Sequence, residues 1–264
     1  MSVLTFLGTG TSQGIPMIGC HCEVCSSPDP RDNRLRSSLF VEDGGMRILI
    51  DAGPDFRQQL ISNRIDDLDA IILTHEHKDH TGGLDDVRAI NYFKRKAVPV
   101  YCEEKVAEAL RKEFYYAFED NRYPGSPEFD IKIIDSSPFS IGHLQIVPIR
   151  VYHGKLPILG YKIGNFAYIT DASLIPDEEF EKLKGLNIFI VSTVRKERHP
   201  AHFSLSEAIE AAVKTEAKIS FLTHFSHQIG TYQKLSLSLP VDIQAAYDGL
   251  IINSDTLQIQ YPIS

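Results

Sequence analysis

No run in the 264 residues approaches the ~18 apolar positions that a membrane-crossing helix needs, so an integral membrane protein is not expected. The opening residues, Met1-Ser2-Val3-Leu4-Thr5-Phe6-Leu7, carry no basic segment and reach Gly8 after a short apolar stretch, so no secretory signal is legible in them. Positive charge is in deficit. Lysine and arginine number 27 against 35 acidic residues, and a net charge of −8 disfavours long nucleic acids and anionic lipid surfaces as partners. A small phosphorylated substrate stays possible, because bound metal ions invert the charge locally. Cysteine is sparse, at four residues. Without a signal the expected location is cytoplasmic, and in that reducing compartment clustered thiols bind metal more often than they form disulfides. Repeats, low-complexity linkers and charge blocks are also missing. Tryptophan is absent, which excludes nothing. With 43% hydrophobic and 23% charged residues the composition is that of an ordinary globular protein, and one domain over residues 1–264 is expected.

What is present alternates between short apolar strand-like runs and helix-like segments. Strands are expected near 4–7, 39–41, 47–50, 70–74, 98–101, 146–151, 159–163, 166–170, 188–192, 219–223 and 257–261. Helices are expected near 56–62, 84–93, 105–118, 177–183 and 206–215. Pro176 before Asp177-Glu178-Glu179 suits a helix start, and Ser204 followed by Glu207 resembles a capping box. Gly164-Asn165 reads as a tight turn between strands. The pattern predicts an α/β fold of two mixed β-sheets with helices outside. Residues 119–130, with Pro124, Gly125 and Pro127, read as a surface loop over or beside a cleft. Phe114-Tyr115-Tyr116-Ala117-Phe118 is either a partner patch, which leaves a homodimer open, or a helix packing into its own core.

Chemistry concentrates in Thr74-His75-Glu76-His77-Lys78-Asp79-His80, directly after the apolar run Ala70-Ile71-Ile72-Leu73. Three imidazoles and a carboxylate at a strand end can converge on two adjacent cations. His75 and His77 would face one, Asp79 and His80 the other, with a donor set suited to Zn²⁺, Mn²⁺ or Fe²⁺. Gly82-Gly83 would let the backbone pass close by before the next helix. A second cluster, Gly19-Cys20-His21-Cys22-Glu23-Val24-Cys25, places three thiols in a C-x-C-x2-C loop. Three thiolates need one more ligand to close a tetrahedral structural zinc site. His227 is the natural fourth, and His21 is disfavoured because its immediate neighbours would make a strained chelate.

The first string matches the H-x-H-x-D-H signature, and the chain resembles the metallo-β-lactamase superfamily from Gly8 to about Leu257. The resemblance implies a four-layer αββα sandwich and two active-site divalent ions, Zn or Mn. It implies three further ligands: His153 for the first metal, Asp171 as the bridging acid and His224 for the second metal. Asp51 would support the site by bonding to the ligand loops. The stretch Gly8-Thr9-Gly10-Thr11-Ser12-Gln13-Gly14 through Cys25, with Thr223-His224-Phe225-Ser226-His227-Gln228, is similar to the cyclic phosphodiesterases associated with the carbon–phosphorus lyase pathway. Members of that group carry one structural zinc beside the catalytic pair. Their cousins, the tRNA 3′-processing endonucleases, carry a long arm between the third His and the bridging Asp, for which positions 154–170 leave no room.

In that phosphodiesterase branch a His before a helix faces the substrate phosphate. His202, in His199-Pro200-Ala201-His202-Phe203-Ser204, aligns with it, while His199 would be a neighbour without a direct role. The implied function is hydrolysis of small cyclic or simple phosphodiesters, of the 2′,3′-cyclic nucleotide or 1,2-cyclic ribose phosphate type, by a metal-activated water. Asp79, Asp171 and His202 would act on the reaction, and Ser204 and Arg36 would hold phosphate or ribose oxygens. The alternatives are a metallo-hydrolase of thioesters, lactones or lactams, or a non-catalytic metal-binding protein on the same fold. A flavo-iron oxidoreductase would need a flavin domain and an acid in place of one His, and neither is present.

Overall fold

The computed structural model describes residues 1–260. Its strands run in chain order β1 (Ser2–Gly8), β2 (Ser38–Asp43), β3 (Met46–Ile50), β4 (Ala70–Ile72), β5 (Val98–Cys102) and β6 (Phe129–Ile133). There follow β7 (Phe139–Ile141), β8 (Leu144–His153), β9 (Leu156–Ile163), β10 (Phe166–Ile169), β11 (Ile188–Ser192), β12 (Ile219–Thr223) and β13 (Ile243–Ala245). The last two, β14 (Ile251–Asn253) and β15 (Ile259–Gln260), return to the first sheet. One sheet has the order β15-β14-β1-β2-β3-β4-β5-β6 and the other β13-β12-β11-β10-β9-β8-β7.

Period-two alternation explains how these sheets stack. Ile48, Ile50, Ala70 and Ile72 face Tyr161, Phe166, Tyr168, Ile188, Ile190 and Phe221 of the other sheet in one shared core. Leu49, Ile71 and Leu73 point the other way, onto Phe56, Leu60, Val87, Ile90, Val106 and Leu110 of the outer helices. On the far side Phe189 and Val191 meet Ala208, Ala211 and Ala212 of helix Leu205–Thr215. The result is the four-layer helix–sheet–sheet–helix arrangement that the resemblance implied. Strands such as β4 and β11 are buried on both faces, which is why they read as unbroken apolar runs. Each fully buried Leu, Ile or Phe contributes about 1.5–3 kcal/mol, and Phe221→Ala in the shared core would cost about 3–5 kcal/mol.

Strand direction places the site. β3 and β4 are parallel neighbours, as are β10, β11 and β12, and β8 runs the same way as β10 through the antiparallel β9 between them. Their carboxyl ends therefore open on one rim, where sheets of this kind bind ligands. Asp51 follows β3, His75 follows β4, His153 ends β8, Asp171 follows β10 and His224 follows β12.

Several expectations need correction in detail. The helix expected at 84–93 begins as a 3₁₀ turn, Leu84–Asp86, before the α-helix Val87–Lys94. That expected at 105–118 breaks at Phe114 into Glu104–Glu113 and Tyr115–Phe118. Phe114 and Ala117 pack into the outer-helix core and only Tyr115 is strongly exposed, so the segment follows the core reading. The helix expected at 177–183 is a 3₁₀ turn, Asp177–Glu181. The loop assigned to 119–130 ends in β6, whose Phe129 pairs with Val98 at the sheet edge. The strand expected at 257–261 is present as β15, and Tyr261 lies outside the described residues. Gly164-Asn165 does form the tight turn, with Ile163 paired to Phe166.

Candidate metal centre

Two left-handed acids and a left-handed histidine mark the rim. Asp51 has φ 65°, Asp171 φ 56° and His224 φ 62°, a conformation that costs a non-glycine residue free energy and clusters at functional sites. The turn after β3 is seated under the histidine string by two glycines. A Cβ on Gly53 would lie 2.1 Å from the Asp79 carbonyl oxygen, and one on Gly83 would lie 2.0 Å from the Gly53 carbonyl oxygen. Gly83 thus serves close backbone approach, as the sequence suggested. Gly82 has φ −65°, the ordinary right-handed value at the end of the short helix Lys78–Thr81, and a Cβ there would lie 2.7 Å from the Lys78 carbonyl oxygen.

Four histidines share one pattern of anchoring. His80 donates Nδ1–H to Asp51 Oδ2 at 2.7 Å, and His153 donates Nδ1–H to the Ala201 carbonyl at 2.7 Å. His75 Nδ1 lies 2.9 Å from Thr74 Oγ1, whose own hydrogen goes to Asp51, so the hydroxyl accepts from the ring. His224 Nδ1 lies 3.0 Å from Ser37 Oγ, whose hydrogen goes to the Gly10 carbonyl, so it accepts as well. Each ring is thereby held with its proton on Nδ1 and its Nε2 turned to where a cation would sit. The Nε2 atoms of His75, His80 and His224 are buried and have no hydrogen-bond partner. Buried ring nitrogens turned inward among carboxylates, without well-formed hydrogen bonds, are the arrangement a cation would repay.

The donor sets are complete. His75, His77 and His153 bring ligand atoms within 4.8 Å of one another, and so do His75, His80 and Asp171, and Asp79, Asp171 and His224. Asp171 sits between the groups, with Oδ2 3.1 Å from His80 Nε2 and Oδ1 3.1 Å from His224 Nε2. Asp79 Oδ2 is 3.2 Å from His80 Nε2. The residues present therefore fit divalent cations, with Asp171 shared between the donor groups, His77 on the open side and Asp51 behind. Burial pushes the pKa of His75 well down, with His80 adding to the effect. Burial also works against charge on His80, but the carboxylates of Asp51, Asp171 and Asp79 together push its pKa well above the usual value.

His202 is different. Its Nδ1 is buried without a hydrogen-bond partner, 3.5 Å from Asp171 Oδ1, and its ring packs between those of His153 and His199. Burial, reinforced by neighbouring histidines, holds its pKa down at about 3. It lines a cleft of about 400 Å³ together with Thr11, Gln13, Arg195, His199 and Gln228.

The cysteine loop folds onto the other end of that cleft. Sγ of Cys20, Cys22 and Cys25 lie 3.2, 3.4 and 3.7 Å from His227 Nδ1. Tetrahedral zinc, with Zn–S of ~2.3 Å and Zn–N of ~2.0 Å, puts sulfur and nitrogen ligands about 3.5 Å apart, so the four residues fit that ion. The Cys25 N–H directed at Cys22 Sγ helps hold that thiol down to about 6, towards the thiolate a metal requires. His21 is exposed and joins none of these groups.

Two assignments meet competing partners. Ser204 is buried and spent on the helix cap: it donates to Glu207 Oε2 at 2.6 Å and accepts from the Glu207 N–H. Arg36 pairs with Asp55 at 3.1 Å and donates to the Ser12 carbonyl. Ser204 is thus not free to hold phosphate or ribose oxygens, and in Arg36 the Nε and one terminal nitrogen are already bonded. Reading the sequence missed Ser37, Thr74 and the Ala201 carbonyl as anchors of the ligand rings. Thr74 was legible as the first residue of the string, whereas the other two are joined to their histidines only by the fold.

Comparison with known proteins agrees with this fold. The model of the beta-lactamase superfamily domain matches residues 46–225. The solved structure of a diphosphatase from the PhnP family superposes with a TM-score of 0.89 at 40% identity, covering 95% of this chain and 96% of that one. The short form of human tRNase Z superposes with a TM-score of 0.70 at 18% identity over 96% of this chain and 99% of that one, a likeness of fold. A Porphyromonas gingivalis protein named Octanoyltransferase is 43% identical over 259 residues, which are 96% of this chain and 52% of that protein. The chain thus spans about half the length of that relative.

Proposed function

Because the chain belongs to the metallo-β-lactamase superfamily, on its PhnP-like branch, and is a metal-dependent hydrolase of that fold, we propose that it is a phosphodiesterase acting on small cyclic or simple phosphodiesters. The observation that carries this reading is His202: a buried imidazole facing the Asp171 cluster, not anchored as the four ligand rings are, on the wall of the open cleft. Two divalent cations held by His75, His77, Asp79, His80, His153, Asp171 and His224 would lower the pKa of a water and neutralise charge on phosphoryl oxygens.

The chain's own residues do the rest. Asp51, Thr74, Ser37 and the Ala201 carbonyl keep the ligand rings in one tautomer and one orientation. His202 is neutral in the free protein. A diester anion seated against it favours the imidazolium, which then gives its proton to the departing alkoxide oxygen, a role typically worth ~10²–10⁴ in rate. Size supports a small substrate: between His153 and Asp171 the chain makes only β9, β10 and two tight turns, with no inserted arm. The relative named Octanoyltransferase favours a second reading, hydrolysis of an acyl group such as a thioester, although the chain corresponds to only half of it.

The test is turnover by the purified protein, loaded in turn with Mn²⁺ and Zn²⁺, on a 2′,3′-cyclic nucleotide, a thioester and a lactam. Metal-dependent opening of the cyclic phosphate alone is the expected result. Silence on the phosphate with turnover of the thioester or lactam would overturn the reading of His202 and leave the metal centre standing.

A further inference from the structure

His199, three residues before His202, has a geometry that a bystander would not need. The Ala201 N–H donates to its Nδ1 at 3.2 Å. A ring nitrogen that accepts carries no proton, so the neutral ring holds its hydrogen on Nε2. That Nε2–H has no partner among the described residues, while the ring lines the cleft 4.9 Å from that of His202. The same residue faces the metal centre through its next peptide group, since the Ala201 carbonyl accepts Nδ1–H of His153 at 2.7 Å. One residue, Ala201, therefore joins the His153 ring to a cleft-wall ring through its two flanking peptide groups. The cleft lining, with Gln13, Arg195, His202 and Gln228, contains no carboxylate to compete for a donor.

We propose that His199 is a substrate-contacting residue: its Nε2–H donates to a phosphoryl oxygen of the bound diester, while its Nδ1 steadies the N–H of Ala201, the residue whose carbonyl orients His153. The contact rests on the phosphodiesterase reading above and adds a second donor to the His202 side of the phosphate. Two variants separate the roles. In His199→Asn the amide oxygen takes the place of Nδ1 and keeps the peptide anchored, but nothing occupies the place of Nε2. In His199→Gln the amide N–H₂ reaches towards the place of Nε2.

The experiment is steady-state kinetics of the metal-loaded full chain on a 2′,3′-cyclic nucleotide, with bound metal counted in each variant. A hydrogen bond to a charged phosphate predicts that His199→Asn lowers kcat/KM roughly 10- to 100-fold with metal content unchanged, and that His199→Gln restores most of it. An Asn variant as active as the parent would refute the donor. So would Asn and Gln variants that lose activity and metal together, which would leave His199 only a support for His153. If the unsubstituted, metal-loaded protein opened no phosphodiester while cleaving the thioester, the phosphodiesterase reading itself would fail and the contact with it.

Discussion

The two clusters that fit metal are built in opposite ways. The cysteine cluster takes three of its four ligands from one six-residue loop and borrows only His227 from across the chain. The histidine–aspartate centre gathers His75, His77, Asp79 and His80 from one turn, but His153, Asp171 and His224 from three other strand ends up to 149 positions beyond His75. The first is a local knot lying on a framework. The second exists only if both sheets are stacked in register. Disturbing the knot should therefore cost stability and spare the chemistry, whereas disturbing the centre should cost chemistry and spare the fold.

The sharpest way to break that contrast is Asp171→Ala. It removes the carboxylate shared between His80 and His224, so activity should fall below detection and the metal pair should be lost, with far-UV circular dichroism unchanged. An active Asp171→Ala protein would place the reaction elsewhere. Cys22→Ser comes next. Structural zinc binding is coupled to folding, so the variant should melt well below the parent and hold one metal fewer, while turnover per folded molecule stays within a few-fold. Asp51→Ala probes support of the ligands. Loss of an anchor behind a ligand histidine typically costs 10–100-fold in metal affinity, to be read by chelator competition.

The smallest effect is a proton. In the metal-free protein the carboxylates of Asp51, Asp171 and Asp79 push the His80 pKa up, which favours a proton that a bound cation would displace. Metal uptake should thus release about one proton, and affinity should rise with pH until the folded-state pKa is passed. For the metal-free fold the sign reverses. A raised histidine pKa stabilises below its unfolded value near ~6.5, and the benefit fades as pH rises through the folded value. Calorimetry in buffers of different ionisation enthalpy reads the proton directly, and zero release would mean that the carboxylates do not hold His80 charged.

How much of this was legible follows the same contrast. The string His75 to His80 and the loop Cys20 to Cys25 could be read directly, because their ligands are close in sequence and each residue type has few other uses at that density. His153, Asp171 and His224 are single residues in otherwise ordinary strands, and only resemblance singled them out. The interior strands of both sheets were legible because two-sided burial makes them apolar throughout. β7, β13 and β14 were not, being three-residue edge or near-edge strands with too little pattern to register. Arg36 and Ser204 show the limit from the other side. Their types suit phosphate, but Asp55 and Glu207, invisible as partners until the chain is folded, had already claimed them.

The central claim is that one chain carries two metal regions that can be lost separately, and metal stoichiometry tests it most directly. Elemental analysis of protein purified with zinc should give three metal ions per chain. Cys22→Ser should give two with phosphodiester turnover retained, and Asp171→Ala should retain the cysteine-site ion and lose the pair. Loss of activity in strict proportion to metal in the Cys22→Ser protein, or a metal count unchanged by either substitution, would contradict it.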